Sequence, residues 1–258
     1  MIGDDDTFDL VKELLRLLTQ GSTHEELQRV LSGLDQSNIQ ELASGLSMRQ
    51  LVTVADLVKG NLDNGSEEFW QSKVFGAYPW IISQIFSTPC TLLAGKAYVG
   101  GKSIENSGGD VADFIYRNQA TANVSVIEIK TPKTRILGKK YRNHVCSMSN
   151  ELSGAIGQVL DYKQKLLSNL AQLKMGSSKQ IEAFNPKCVV IIGNTKEFKD
   201  CELSVADCYS SFENFRNSLS GVTVITYDEL LQRIENLISI LQDDPQHDAG
   251  EASEDFDF

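Results

Sequence analysis

Glu128-Ile129-Lys130 sets a carboxylate and an ammonium two residues apart, which on a β-strand means one face of the sheet. The run 124–129 is predominantly apolar, so this strand is expected near the middle of a sheet with the charged pair at its end. Charge placed there is costly unless a bound metal ion or a salt bridge compensates it. The chain holds a second E-x-K, Glu197-Phe198-Lys199, and a D-x-K, Asp161-Tyr162-Lys163. The former sits in a polar segment after a strand and the latter in a helical stretch. Only Glu128 and Lys130 end an apolar strand whose predecessor, across one turn, carries an acid: Val111-Ala112-Asp113-Phe114-Ile115. If the two strands pair antiparallel, Asp113 comes near Glu128 and the two can share a divalent cation.

That constellation suits phosphodiester hydrolysis. Two carboxylates hold Mg²⁺, a hard cation that prefers oxygen ligands and keeps several waters. The ion polarises a phosphoryl oxygen and lowers the pKa of a bound water. Lys130 would orient that water and offset charge growing on phosphorus. Spacing alone favours the alternative, a structural ion pair at a sheet end.

The elements that must position these groups follow from periodicity and punctuation. Leu10, Leu14, Leu17 and Leu18 recur at helical spacing behind the acids Asp4, Asp5 and Asp6, and Thr23 with Glu26 forms a capping box. Segments 37–46 and 48–58 supply two more helices. Residues 60–66, Gly-Asn-Leu-Asp-Asn-Gly-Ser, are dense in turn formers and read as a linker. Beyond it the pattern becomes mixed: short helices over 67–75 and from Pro79 to 86, then strands over 91–99, 111–116 and 124–130, the last stopped by Pro132. A long helix over 150–173 precedes a strand (187–193), a helix (205–219), a strand (222–226) and a closing helix (227–241). This order describes an α/β fold with a mixed central sheet flanked by helices, preceded by a small all-α region.

An ordered series of motifs resembles the Shedu antiphage nuclease domain. It opens with Ser66-Glu67-Glu68-Phe69-Trp70-Gln71 and Tyr78-Pro79-Trp80-Ile81-Ile82. It continues through Gly109-Asp110-Val111-Ala112-Asp113-Phe114, Val126-Ile127-Glu128-Ile129-Lys130-Thr131-Pro132, and Glu151-Leu152 with Ala155-Ile156, Gln158-Val159 and Tyr162, and ends near the strand 189–193. The resemblance implies a PD-(D/E)xK, restriction-endonuclease-like core and a DNA endonuclease of bacterial antiphage defence. It implies dependence on Mg²⁺, for which Mn²⁺ could substitute, and self-association as a dimer or tetramer. By position, Glu67 resembles the first-helix acid, Asp113 the metal-binding acid, Glu128 and Lys130 the E-x-K pair, and Gln158 the glutamine of the fourth motif. Metal ligands are thus expected in Asp113, Glu128 and Glu67, with Gln71 in support. Glu67 is preferred to Glu68 because it precedes Trp70-Gln71 at the family's spacing, and Asp113 to Asp110 because it lies inside the strand. Trp70 and Tyr162 are expected in the core, Tyr162 with a partner for its hydroxyl.

Charge distribution fits a DNA partner. The net charge of −11 argues against a chain that coats nucleic acid nonspecifically. Yet no acid falls between Glu128 and Glu151, where Lys130, Lys133, Arg135, Lys139, Lys140 and Arg142 accumulate. From Lys133 to Arg142 this reads as a basic loop, bent at Gly138, that clamps phosphates; His144 reads as surface. Residues 243–258 carry seven acids and no Lys or Arg, which suggests a disordered tail that contacts the protein's own DNA groove or a host replication factor. Residues 1–60 are expected to regulate or assemble the protein and 66–242 to form the nuclease domain. Five cysteines without a C-x-x-C pair make zinc ligation and a disulfide framework unexpected, and suit a cytoplasmic chain. There is no signal-peptide pattern and no apolar run long enough for a bilayer. Two competing functions remain: a catalytically silent nucleic-acid binder, and a scaffold of the same fold.

Overall fold

A computed structural model of the chain describes residues 36–102 and 108–242. The helices expected before residue 36 and the acidic tail lie outside the described residues. The chain divides into two compact units, Met1–Thr53 with Ile238–Phe258, and Val54–Leu237; the sheet lies wholly in the second.

Helix α1 runs unbroken over Gln36–Gly60, where two helices were expected. Gly45 and Ser47 at the anticipated break each weaken a helix by no more than about 1 kcal/mol, too little to end it. Ser66 caps the next helix, α2 (Glu67–Phe69), by accepting from the Phe69 N–H, and the chain then widens into a π-helical turn over Trp70–Phe75. Helix α3 (Trp80–Ser83) follows.

A five-stranded mixed sheet forms the centre. Strands β1 (Cys90–Lys102), β2 (Gly108–Asn118) and β3 (Asn123–Ile129) make an antiparallel meander, as their short connections require. The order across the sheet is β1-β2-β3-β6-β7, with β6 (Glu182–Ile191) parallel to β3 and β7 (Val222–Ile225) parallel to β6. Parallel neighbours need crossovers. The first contains a separate hairpin, β4 (Leu137–Arg142) with β5 (Val145–Met148), then α4 (Asn150–Ser168) and α5 (Leu170–Gly176). The second contains a 3₁₀ turn (Thr195–Asp200) and α6 (Val205–Ser218), and α7 (Tyr227–Gln242) closes the chain.

Every residue of β3 from Val124 to Ile129 is buried, as expected for a central strand. Leu152, Ala155, Ile156, Val159, Tyr162 and Leu166 recur at helical spacing and join α4 to the core that holds Val124, Val126, Cys188 and Val190. Glu128 shares the parity of Val124 and Val126, so it points toward the α4 side. Ile127 and Ile129 are buried outside that cluster. A further aromatic group packs Trp70, Phe75 and Tyr227 together, with Trp70 and Tyr227 ring centroids 4.5 Å apart.

Two further expectations need correction. The helix expected over 150–173 breaks at Asn169, whose side-chain amide donates to the Lys165 carbonyl at 2.7 Å and so satisfies a helix end. From Leu137 on, the basic stretch expected as a loop forms the first strand of the β4–β5 hairpin, with Lys133 and Arg135 in the connection before it. Gly138 falls where the register slips between the Leu137–Met148 and Lys140–Cys146 pairs, and a Cβ there would lie 2.6 Å from Ser147 Oγ and 2.9 Å from the Met148 carbonyl, so glycine also permits the two strands to approach.

Candidate active site

Antiparallel pairing of Phe114 with Ile127 places Asp113 one step further along, beside Glu128. There the backbone ladder gives way to a side chain. Asp113 Oδ2 accepts the Ile129 N–H at 2.8 Å, and Oδ1 accepts from Gln71 Nε2 at 2.6 Å. The π-helical turn thus supplies the residue that orients the acid. Lys96 lies across from Asp113, between the Gly95–Phe114 and Ala97–Ala112 pairs, with φ of +46°. Its charge acts on Asp113, although the sequence offered no motif to single it out.

Glu128 is 2% exposed and accepts from Lys130 Nζ at 2.7 Å. Lys130 Nζ also lies 3.9 Å from Glu67. Burial is the largest influence on all three inner groups. It raises Asp113 above the ordinary carboxylate range against the Ile129 hydrogen bond and the Lys130 charge. It pushes Glu128 up to about 7, assisted by the charge of Asp113 and opposed by Lys130. For Lys130, burial alone would favour the neutral amine, but the hydrogen bond and charge of Glu128, with Glu67 and Asp113, outweigh it and raise the pKa. Three carboxylates, Asp113, Glu128 and Glu67, against the ammonium groups of Lys130 and Lys96 leave the cluster short of positive charge.

Glu67 and Lys130 line an open groove of about 450 Å³ with Thr134, Asn150, Glu151, Gly154, Ala155 and Gln158. The α4 residues Glu151, Gly154 and Gln158 recur on one helical face, and the absence of a side chain at Gly154 keeps the groove wide there. Gln158 Nε2 donates to the Tyr162 hydroxyl at 2.6 Å, which gives the buried tyrosine its partner. Asp113 and Glu128 lie behind Lys130 and do not themselves line this groove, nor does Glu68, while the other alternative acid, Asp110, pairs with Lys165 at 2.7 Å.

The backbone around Lys130 is held from several sides. Its N–H donates to the Ile191 carbonyl at 2.8 Å, and its own carbonyl accepts the Tyr227 hydroxyl at 2.6 Å. Tyr227 carried no signal in the sequence beyond opening a helix. Gly193 adopts φ of +65° beside Ile136, in a space where a Cβ would meet Ile136 Cγ1 at 2.4 Å.

None of Lys133, Arg135, Lys139, Lys140 and Arg142 lines the Glu67–Lys130 groove. Lys133, Arg135, Lys139 and Lys140 surround a second cavity of about 390 Å³ with Glu197, Asp200 and Glu202, while Arg142 lies at the hairpin turn with Tyr141 and His144. The second E-x-K serves the scaffold. Glu197 Oε1 accepts the N–H groups of Ile136 and Leu137 at 2.6 and 3.3 Å and fastens the start of the hairpin. His144 is exposed and pairs with Asp207 at 3.3 Å. Cys146, Cys201 and Cys208 converge from three elements, which their sequence spacing did not foretell.

A mixed five-stranded sheet flanked by helices, with Glu128 and Lys130 at the end of its central strand and Asp113 beside them on β2, is compatible with a nuclease-like core. Residues 64–231 match the family described as Shedu protein SduA, C-terminal, and the chain belongs to that family. It is 35% identical over 249 residues to the Shedu protein SduA of Bacillus cereus (strain B4264), an alignment covering 94% of this chain and 64% of that protein. The chain therefore spans under two thirds of that relative's length. Among the described residues, no helix is long and apolar enough to cross a membrane.

Proposed function

We propose that the chain is a Mg²⁺-dependent DNA endonuclease acting in antiphage defence, with Asp113, Glu128 and Lys130 at its centre. The observation that carries this reading is the buried Glu128 beside Asp113, an acid pair whose ionisation burial opposes. A divalent cation would relieve that opposition, and the donor set is all oxygen, as Mg²⁺ requires. Both Asp113 oxygens already accept one hydrogen bond, but a carboxylate oxygen has a second lone pair to offer. Asp113 and Glu128 would hold the ion, with Glu67 as a third donor. When bound, it supplies Lewis-acid polarisation of the scissile phosphate and a more acidic water.

The chain's own residues do the rest. Gln71 and the Ile129 N–H fix the Asp113 carboxylate. Lys130 holds its proton, orients the attacking water and offsets negative charge on the phosphate. Gln158 faces the groove where a phosphate or water would sit. The basic hairpin supplies phosphate contacts that place DNA over the groove. The antiphage role rests on kinship with Shedu proteins.

The 2.7 Å contact between Lys130 and Glu128 also suits a closed structural ion pair, as in a silent member that binds nucleic acid or serves as a scaffold. Incubation with linear, nicked and circular DNA, in Mg²⁺ or EDTA, separates these readings. Mg²⁺-dependent cleavage is expected, abolished in Glu128→Ala and Lys130→Ala variants that keep the wild-type circular dichroism. Undiminished cleavage by either folded variant would sink the assignment, and DNA binding without cutting by the wild type would favour the silent reading.

A further inference from the structure

Cys146 of β5, Cys201 after the 3₁₀ turn, and Cys208 of α6 bring their sulfur atoms within 4.8 Å of one another. The remaining two cysteines stand apart from the cluster: Cys188 donates to the Val159 carbonyl, and Cys90 lies near Thr88. In the cluster the three thiols interact with each other, Cys146 and Cys208 buried and Cys201 half-buried. Three thiolates on a tetrahedral zinc, at Zn–S of about 2.3 Å, sit roughly 3.8 Å apart, so closure needs each pair to approach by no more than about 1 Å.

We infer that Cys146, Cys201 and Cys208 bind a zinc ion. The donors are soft sulfur, chemically distinct from the oxygen set of Asp113 and Glu128, so the site selects a different metal from Mg²⁺. Access exists: Cys146 and Cys201 line the cavity of about 390 Å³, where the acids Glu197, Asp200 and Glu202 face the cations Lys133, Arg135, Lys139 and Lys140. That cavity gives a hydrated cation a route in and a water to fill the fourth position. As each sulfur takes the metal, its proton passes to solvent. The ion would link β5 to α6 at the point where the Cys146 N–H donates to Ser211 Oγ at 3.0 Å, and so hold the hairpin that carries Lys139, Lys140 and Arg142.

The full chain, reduced and stripped with a chelator, should take up one Zn²⁺ per molecule after gel filtration. With Co²⁺ as a spectroscopic stand-in it should show sulfur-to-cobalt charge-transfer absorption that Zn²⁺ abolishes. Cys201→Ser, at the most accessible of the three positions, should weaken binding on the order of tenfold or more, since even outer-shell partners of a metal are worth that much. Cys208→Ser should do the same and Cys90→Ser nothing. The inference is overturned if the triple Cys146, Cys201 and Cys208 to Ser variant retains the wild-type zinc, or if the reduced chain takes up none. Cobalt binding without charge transfer, abolished instead in Glu128→Gln, would equally overturn it, as would an intramolecular disulfide in a chain that binds no metal. Because none of these readouts involves DNA, failure of the nuclease reading leaves the test intact.

Discussion

Tyr227, at the start of α7, donates its hydroxyl to the carbonyl of Lys130 at 2.6 Å. Trp70 packs edge-on against the same ring, so the last helix and the π-helical turn jointly fix the backbone from which the Lys130 side chain projects. Tyr227→Phe keeps the ring and deletes the donor. It should lower unfolding stability by about 1–3 kcal/mol in urea titrations, the cost of a buried carbonyl without a partner. It should also reduce cleavage, because Lys130 loses a fixed anchor; stability and rate both equal to wild type would show that water replaces the hydroxyl.

Glu128 gives stability an unusual pH dependence. Its folded-state pKa lies near 7, above the ordinary 4.5, so between those values the folded state holds the proton more tightly than the unfolded one. This group's contribution is therefore fully present below about pH 4.5 and disappears as pH rises toward 7. Urea midpoints of the metal-free chain should show that downward component, and Glu128→Gln should flatten it. A residual slope of the same sign is expected from Asp113, whose pKa is also raised. An unchanged profile in Glu128→Gln would mean that the glutamate is ionised without penalty.

Added Mg²⁺ or Mn²⁺ should stabilise the folded chain most as pH rises above about 7, where Glu128 loses its proton and the pair most needs a cation. At a concentration about one hundred times the dissociation constant the gain would be about 2.7 kcal/mol. Asp113→Asn and Glu128→Gln should each remove it. A melting temperature indifferent to metal at every pH would argue that Lys130 alone neutralises the pair.

The hairpin's hold on Glu197 should matter for DNA. Glu197→Ala frees the Ile136 and Leu137 N–H groups and loosens the start of β4, which should weaken DNA binding without touching the acids. Replacing Lys139, Lys140 and Arg142 with Ala should reduce the slope of log K against log salt by roughly 0.9 for each phosphate no longer neutralised. A slope equal to wild type would show that this face turns away from DNA.

Much of the scaffold was legible from local chemistry. The apolar run ending in Glu128-Ile129-Lys130, the acid on the preceding strand, and the apolar stripe of α4 predicted a mixed sheet with charged groups at its central end, because strand and helix periodicities are short-range properties. Strand and helix boundaries mostly fell within a few residues, since Gly, Pro and Ser/Asn caps act locally. The β4–β5 hairpin was not legible: a strand of Lys, Tyr and Arg residues lacks the alternation that marks a buried face, and its shape comes from Glu197 and Ser211 in remote segments.

What tertiary structure alone decided is which polar groups meet. Residue types and spacing nominated Asp113, Glu128 and Lys130, and the family resemblance added Glu67 and Gln158, without saying how far apart they would lie. Folding set Asp113 against Gln71 and the Ile129 N–H, put Tyr227 on the Lys130 carbonyl, and gathered Cys146, Cys201 and Cys208 into one cluster. These meetings join segments far apart in the chain. Their geometry depends on strand order and crossover packing, to which local sequence periodicity is blind.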